Sequence, residues 1–395
     1  MHFEGLRGVA ALVVFFAHFR PTFCTDINKT FLDYIGITGL AQRAVLENFI
    51  SLFYEGTLPV YIFWYMSAFV ISIKLYDYSR NENNKYLIEA STKRYVRLAI
   101  PVFFSSLICF LLMKAHWIYN LELAEQLGKG YQDGWLHLWY HFEPGIIHFL
   151  KTTIVEVFIH GNPNYNIALW TMNPELMGSF LCFGLFAVIG KNKKRFVIFL
   201  SMCVFLTIAG LSDTICFYYL VFVLGLMWCD AINSLDEEVY LKNRLKNIFN
   251  SRLTAVLLLT IGFCMTIYSD SVNPLPINLY YLFNFPVKAI GFTLLVNNFN
   301  LMKKIFSMKP MIFFGKISFS FYLIHIPIMF SIGIYLYSYA GIESEYKTLI
   351  VFGSLIVISI ILSYLFMRLI DNKGISISNK VGKYFSSGEL KPKNS

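Results

Sequence analysis

Apolar residues in this chain gather into long unbroken runs, unlike the alternating or 3.6-residue patterns of half-buried elements in soluble domains. Ten runs are long enough to cross roughly 30 Å of hydrocarbon as helices: 6–24, 58–75, 95–114, 167–190, 195–211, 214–231, 253–269, 277–297, 315–338 and 347–370. Inside a bilayer every backbone N–H and C=O must find a partner within the protein, so such runs predict helices and not open sheet. The expected fold is an all-α integral membrane protein with ten transmembrane helices. An eleventh apolar segment at 145–160 carries His148, Lys151 and Glu156, and is expected to lie in the interface or to re-enter. The first run starts at Leu6 without a small-residue cleavage site, so it is expected to remain as the first span.

The polar positions between the runs supply the orientation. With the N-terminus in the cytoplasm, 25 of the 33 lysines and arginines fall in inside segments and seven outside, while Lys288 lies within a span. This bias predicts both termini in the cytoplasm. The two halves show no matching pair of broken helices, which argues against an inverted-repeat transporter. The chain divides into a transmembrane domain over 1–372 and a short basic cytoplasmic tail over 373–395.

Composition excludes the soluble classes. Only 14% of residues are charged and 56% are hydrophobic, against about a quarter charged in soluble domains. The net charge of +9 sits in short loops between apolar runs and needs no nucleic-acid partner. Six of the seven cysteines lie in or beside apolar runs, where they read as small buried hydrophobes and not as a disulfide or zinc framework.

Four ionisable residues stand out within the runs: His18, Glu175, Lys288 and His325. An unpaired charge at bilayer depth costs several kcal/mol, so each is a functional candidate. Counting about 1.5 Å per residue puts His18 roughly 18 Å from the cytoplasmic side and Glu175 roughly 12 Å from the outer side, one level in a core of about 30 Å. Lys288, His325 and Ser67 also come out near mid-depth. Arg7 and His18, eleven residues apart, return to within about 20° of one helical face and are separated by roughly 16 Å. That stripe suits a ligand with a cytoplasmic anionic end and a buried reactive end. A topology anchor and a hydrogen-bonded bundle histidine would leave the same spacing.

These residues resemble a known family. The stretch Glu4-Gly5-Leu6-Arg7-Gly8-Val9-Ala10-Ala11 through His18 is similar to the opening signature of the acyltransferase 3 family of membrane O-acyltransferases, in which an Arg and a His so spaced on the first helix are required for activity. Ser67-Ala68-Phe69 resembles the family's Ser-Gly-Phe, and Lys93-Arg94-Tyr95-Val96-Arg97 with Pro101 its Arg-rich start of the third helix. Leu169-Trp170-Thr171-Met172 with Glu175 resembles its Trp-Ser/Thr-Leu/Met-x-x-Glu motif, and Gly315 through His325 its Gly-x-x-Ser-Tyr-x-x-Tyr-Leu-x-His motif. Ala68 and Phe319 depart from the usual Gly and Tyr, Asp371 stands where a Glu often ends the last helix, and Pro174 threatens a kink beside Glu175.

The resemblance implies an enzyme of the inner membrane that takes an acyl group, usually acetyl, from cytoplasmic acyl-CoA and places it on an extracytoplasmic carbohydrate such as a surface polysaccharide. For that reaction His18 is the candidate base, with Glu175 at the right depth to be its acidic partner or else to cap a polar network or pair with Lys288. Arg94 and Arg97, three apart on one face, can form a phosphate clamp for the donor with Arg7. Ser67, Lys288 and His325 are candidates to line the site. The family's common SGNH hydrolase-like domain has no counterpart here, so the chain is expected to act alone or to hand over to a separate extracytoplasmic partner. Trp117, Tyr119, Tyr131, Trp135, Trp139 and Tyr140 offer flat faces for a sugar or form an interfacial belt. His137 and His141 lack a third ligand of clear spacing, so no metal is expected. A transporter or flippase of a glycan or lipid-linked intermediate is the competing reading, since buried charges also mark transport paths.

Overall fold

Every apolar run identified above is helical in the structure, a computed structural model that describes residues 1–24, 40–79, 85–128, 134–190, 192, 194–233, 240–341 and 346–387. Tyr131 and residues 388–395 of the tail lie outside the described residues. No strand occurs among those described. The long helices, in chain order, are α1 His2–Phe23, α2 Thr57–Ser79, α3 Lys85–Lys114, α4 Ile167–Ile189, α5 Arg195–Gly210, α6 Ile215–Asn233, α7 Arg252–Ser271, α8 Ile277–Asn298, α9 Lys309–Tyr339 and α10 Lys347–Ser387. Among the described residues nine of these are long and apolar enough to cross a membrane, and α5 is apolar but has only 16 residues. The chain is therefore a multi-pass membrane protein. Apolar side chains such as Val197, Leu200, Val204, Phe205 and Ile208 face outward from α5, a surface that suits hydrocarbon.

Helices in a bilayer gain little from burying apolar area against each other, so close approach through small residues decides which ones pack. The tightest case joins α1 to α9. A Cβ on Gly315 would sit 2.0 Å from the Glu4 carbonyl oxygen, one on Gly8 would sit 2.5 Å from the Gly315 nitrogen, and one on Gly5 would meet the Phe306 carbonyl. Glycines of the first and last motifs are thus where the two backbones touch. Two apolar cores flank that crossing. One gathers Tyr61, Trp64 and Tyr65 of α2 with Phe217, Phe222 and Trp228 of α6. The other gathers Phe15, Phe19 and Phe23 of α1 with Phe321 and Phe330 of α9 and Leu355 of α10.

Residues 146–159 form a helix, expected from the sequence to lie in the interface or to re-enter. It runs through without a break as Ile146–Lys151, a π-helical stretch Thr152–Glu156 and Val157–Ile159, and Lys151 pairs with Glu156 at 2.7 Å. The segment runs along α3, with Phe149 against Phe103 and Phe110, and Tyr95 donating to the Ile154 carbonyl at 2.6 Å. Because it fills space beside α3, α4 starts inside the protein: Asn166 Nδ2 donates to the Leu323 carbonyl and Tyr322 Oη to the Ala168 carbonyl, both at 2.7 Å, halfway along α9. Pro174 falls in the first turn of the α-helical part, Met172–Ile189, where an N–H has no intrahelical partner to lose, so it need not kink α4.

The polar segment after Asp371 is also helical, as far as Ser387. It lies on the first half of α3, with Gly374 against Ile100 and Pro101 and Gly382 against Glu89 and Lys93.

Candidate active site

Two cavities sit between the cores, one near the end where α1 starts, here the lower end, and one above it. The lower cavity, about 460 Å³, is lined by Arg7, Ser67, Arg94, Arg97, Glu175 and Tyr322 among others. Arg94 of α3 reaches across to α4 and α2. It pairs with the Glu175 carboxylate, and donates to Ser179 Oγ and Ser67 Oγ, both at 2.9 Å. Ser67 in turn donates to Glu175 Oε1 at 2.6 Å. Arg97 pairs with Asp371 at 2.5 Å and lies over the Phe319 ring at 5.3 Å. Arg7 makes no hydrogen bond or ion pair with a described residue and is exposed to the cavity. Of the three arginines it is the one left for an anion from outside the protein.

The upper pocket, about 370 Å³, is lined by His18, Arg20, Tyr54, Glu55, Trp135 and Trp170 among others. Trp135 stacks on the His18 ring at 5.3 Å and 27°. Its Nε1 donates to Thr22 Oγ1 at 3.2 Å, and that hydroxyl donates to the His18 carbonyl at 2.7 Å, which ties the indole to α1. Arg20 lies over the Tyr54 ring at 4.4 Å, and the Glu55 carboxylate accepts from the Thr57 amide at 2.9 Å.

The α1–α9 crossing brings His325 Nε2 to 3.0 Å from His18 Nδ1. The bonds around this pair assign both tautomers. His325 Nδ1 faces the Tyr322 carbonyl at 2.7 Å and the Phe321 carbonyl at 3.2 Å, and a carbonyl oxygen only accepts. Nδ1 of His325 therefore carries the proton, and in a neutral ring its Nε2 is an acceptor. His18 Nδ1 must then be the donor across the 3.0 Å contact. Nε2 of His18 is left with its lone pair, on a ring that lines the upper pocket.

The structure thus brings His18 together with His325, and Ser67 with Arg94 and Glu175, while Arg7 and Arg97 share the cavity of the second group. The pairing of His18 with Glu175 expected from depth does not occur. Glu175 lies seven residues below Ala168, which is level with Tyr322, and His325 lies one turn above, so the two sites are roughly 15 Å apart along the bundle. The depth count takes residue 167 as the surface, whereas Asn166 and Ala168 already meet the middle of α9, so α4 starts deep. Lys288 lines neither cavity. Its Nζ donates to Asn284 Oδ1 at 2.8 Å and Asn48 Oδ1 at 3.3 Å and lies over the Phe263 ring, and Asn48 donates to Asp270 at 2.9 Å. Of the described members of the aromatic set only Trp135 lines the upper pocket, whereas Trp117 is exposed and Tyr140 packs on Phe330. Arg20, Tyr54 and Glu55 line it without a signal in the sequence, because polar residues at the end of a run or in the connection before one read as ordinary loop residues.

Residues 2–368 match the model of a family described as an acyltransferase domain, Acyl_transf_3, over nearly the whole chain. No curated protein and no solved structure matches.

Proposed function

Since the chain belongs to the acyltransferase 3 family, whose model matches residues 2–368, we propose that it moves an acyl group, acetyl in this reading, from cytoplasmic acyl-CoA in the lower cavity to a carbohydrate hydroxyl in the upper pocket. The observation that carries the reading is the hydrogen-bonded file Tyr322 carbonyl, His325, His18, which frees one basic nitrogen on the wall of an aromatic pocket above a cavity bearing three arginines.

The donor's phosphates go to Arg7, with Arg94 and Arg97 held beside it by Glu175 and Asp371. The acceptor sugar lies against Trp135, Trp170 and Tyr54, whose faces suit a pyranose ring and whose neighbours Arg20 and Glu55 suit its hydroxyls. In direct transfer, the acceptor hydroxyl gives its proton to His18 Nε2 as its oxygen attacks the thioester carbonyl carbon. The C–O bond forms, the C–S bond breaks, and the proton passes on to the departing CoA thiolate. Proton transfer to His18 is a general-base contribution worth about 10²–10⁴-fold, and the charge that rests on His18 meanwhile is supported through Nδ1–H by His325. His325 takes the orienting role that Glu175 is too distant to fill. The basic bias of the inside segments supports an inner-membrane protein with the lower cavity open to the cytoplasm.

Purified protein given radiolabelled acetyl-CoA and alkali-deacylated surface polysaccharide of the source cell should label the polysaccharide. Movement of the glycan across vesicles without label transfer would favour the flippase reading instead.

A further inference from the structure

The two cavities share two lining residues, Val60 of α2 and Tyr322 of α9. Tyr322 is tied at its hydroxyl, which donates to the Ala168 carbonyl at 2.7 Å and shares a 2.9 Å hydrogen bond with Thr171 Oγ1. Its ring is edge-on to Phe63. Val60 is 4% exposed and, being branched at Cβ, has little rotamer freedom on a helix. The wall between donor and acceptor spaces is thus a fixed ring on one side and two methyl groups on the other.

We infer that Val60 and Tyr322 form the neck in which the acyl group sits during transfer, and that Val60 sets its size, admitting acetyl and excluding chains of four carbons. The inference rests on the transfer reading above. With the CoA sulfur below the neck and the acceptor oxygen above it, the carbonyl carbon must lie at the shared wall for the C–S bond to break as the C–O bond forms. Its alkyl substituent then has only the space between Val60 and the Tyr322 ring. Truncation to Ala removes both methyls from that space, and extension to Leu fills more of it.

The test measures kcat/KM for acetyl-, propionyl- and butyryl-CoA, with alkali-deacylated surface polysaccharide as acceptor, for wild type, Val60→Ala and Val60→Leu. Wild type should prefer acetyl, and Val60→Ala should raise the butyryl-to-acetyl ratio about tenfold or more, the discrimination that one or two methylenes supply. Val60→Leu should lower turnover of propionyl more than of acetyl while CoA binding holds, which covers the case of a poorly folded Ala variant. Active variants with wild-type chain-length preference would overturn the neck while leaving acyl transfer intact. A wild type that accepts butyryl as readily as acetyl would overturn it too. No acyl transfer from any of the three thioesters would overturn the transfer reading and the neck with it.

Discussion

Replacing His325 by Leu removes the acceptor that faces His18 Nδ1 at 3.0 Å while keeping an apolar side chain in a buried position. In the resting enzyme the lost bond is between neutral groups, worth about 1 kcal/mol net; once His18 has taken the acceptor's proton it is a bond from a cation, worth about 1.5–3 kcal/mol. Only the difference, about 0.5–2 kcal/mol, acts on the chemical step, so kcat should fall about 2- to 30-fold. Acyl-CoA affinity should hold, because Arg7 and its cavity lie roughly 16 Å lower on α1. His325→Gln, whose amide oxygen can accept from Nδ1, should recover part of the loss, and His18→Ala should cost more than either. The assay is steady-state acetyl transfer with a direct CoA-binding measurement and a melting curve on the same preparation. Activity that falls only in step with the folded fraction, or a loss confined to CoA affinity, would remove His325 from the positioning role.

Gly315→Ala places a Cβ 2.0 Å from the Glu4 carbonyl oxygen, so α1 and α9 must part, at about 1–3 kcal/mol of stability. Transfer should fall further than stability because the His18–His325 contact opens, and wild-type turnover in that variant would show that the crossing does not set the pair. Arg7→Ala should weaken acyl-CoA binding by about 1.5–3 kcal/mol, the worth of a charge-assisted contact, and unchanged affinity would return Arg7 to a topology anchor. Glu175→Gln keeps hydrogen bonds to Ser67 and Arg94 but leaves the arginines of the cavity without that counter-charge, so the melting temperature should drop while CoA affinity does not. A stable Glu175→Gln protein with steeply reduced turnover would restore Glu175 as a catalytic group.

The spans were legible because run length alone tells a bilayer helix, and the His18–Arg7 stripe was legible because helical periodicity needs no partner. Partner choice was not. Hydropathy counts residues from an assumed surface, and the helix 146–159 packed beside α3 leaves the start of α4 against the middle of α9, which separates Glu175 from His18. The glycines that fix the α1–α9 contact are visible in the sequence, yet nothing local says which helix Gly8 meets. Lys288 finds Asn48 on Leu40–Ser51, a helix between spans whose mixed polar and apolar residues gave no span signal. A stronger sign was available for 372–387, where Gly374, Ser378 and Gly382 recur every four residues and are buried, marking a helix face that packs.

Sidedness and chemistry meet in one measurement on protein reconstituted into vesicles and sorted by orientation. Acetyl-CoA is supplied only on the side of the lower cavity and alkali-deacylated surface polysaccharide only on the other, with wild type and His18→Ala at equal folded amounts. Label should appear on the polysaccharide with wild type and be absent with His18→Ala. Equal labelling by the two proteins, or labelling only when donor and acceptor share a side, would contradict transfer through the bundle by His18.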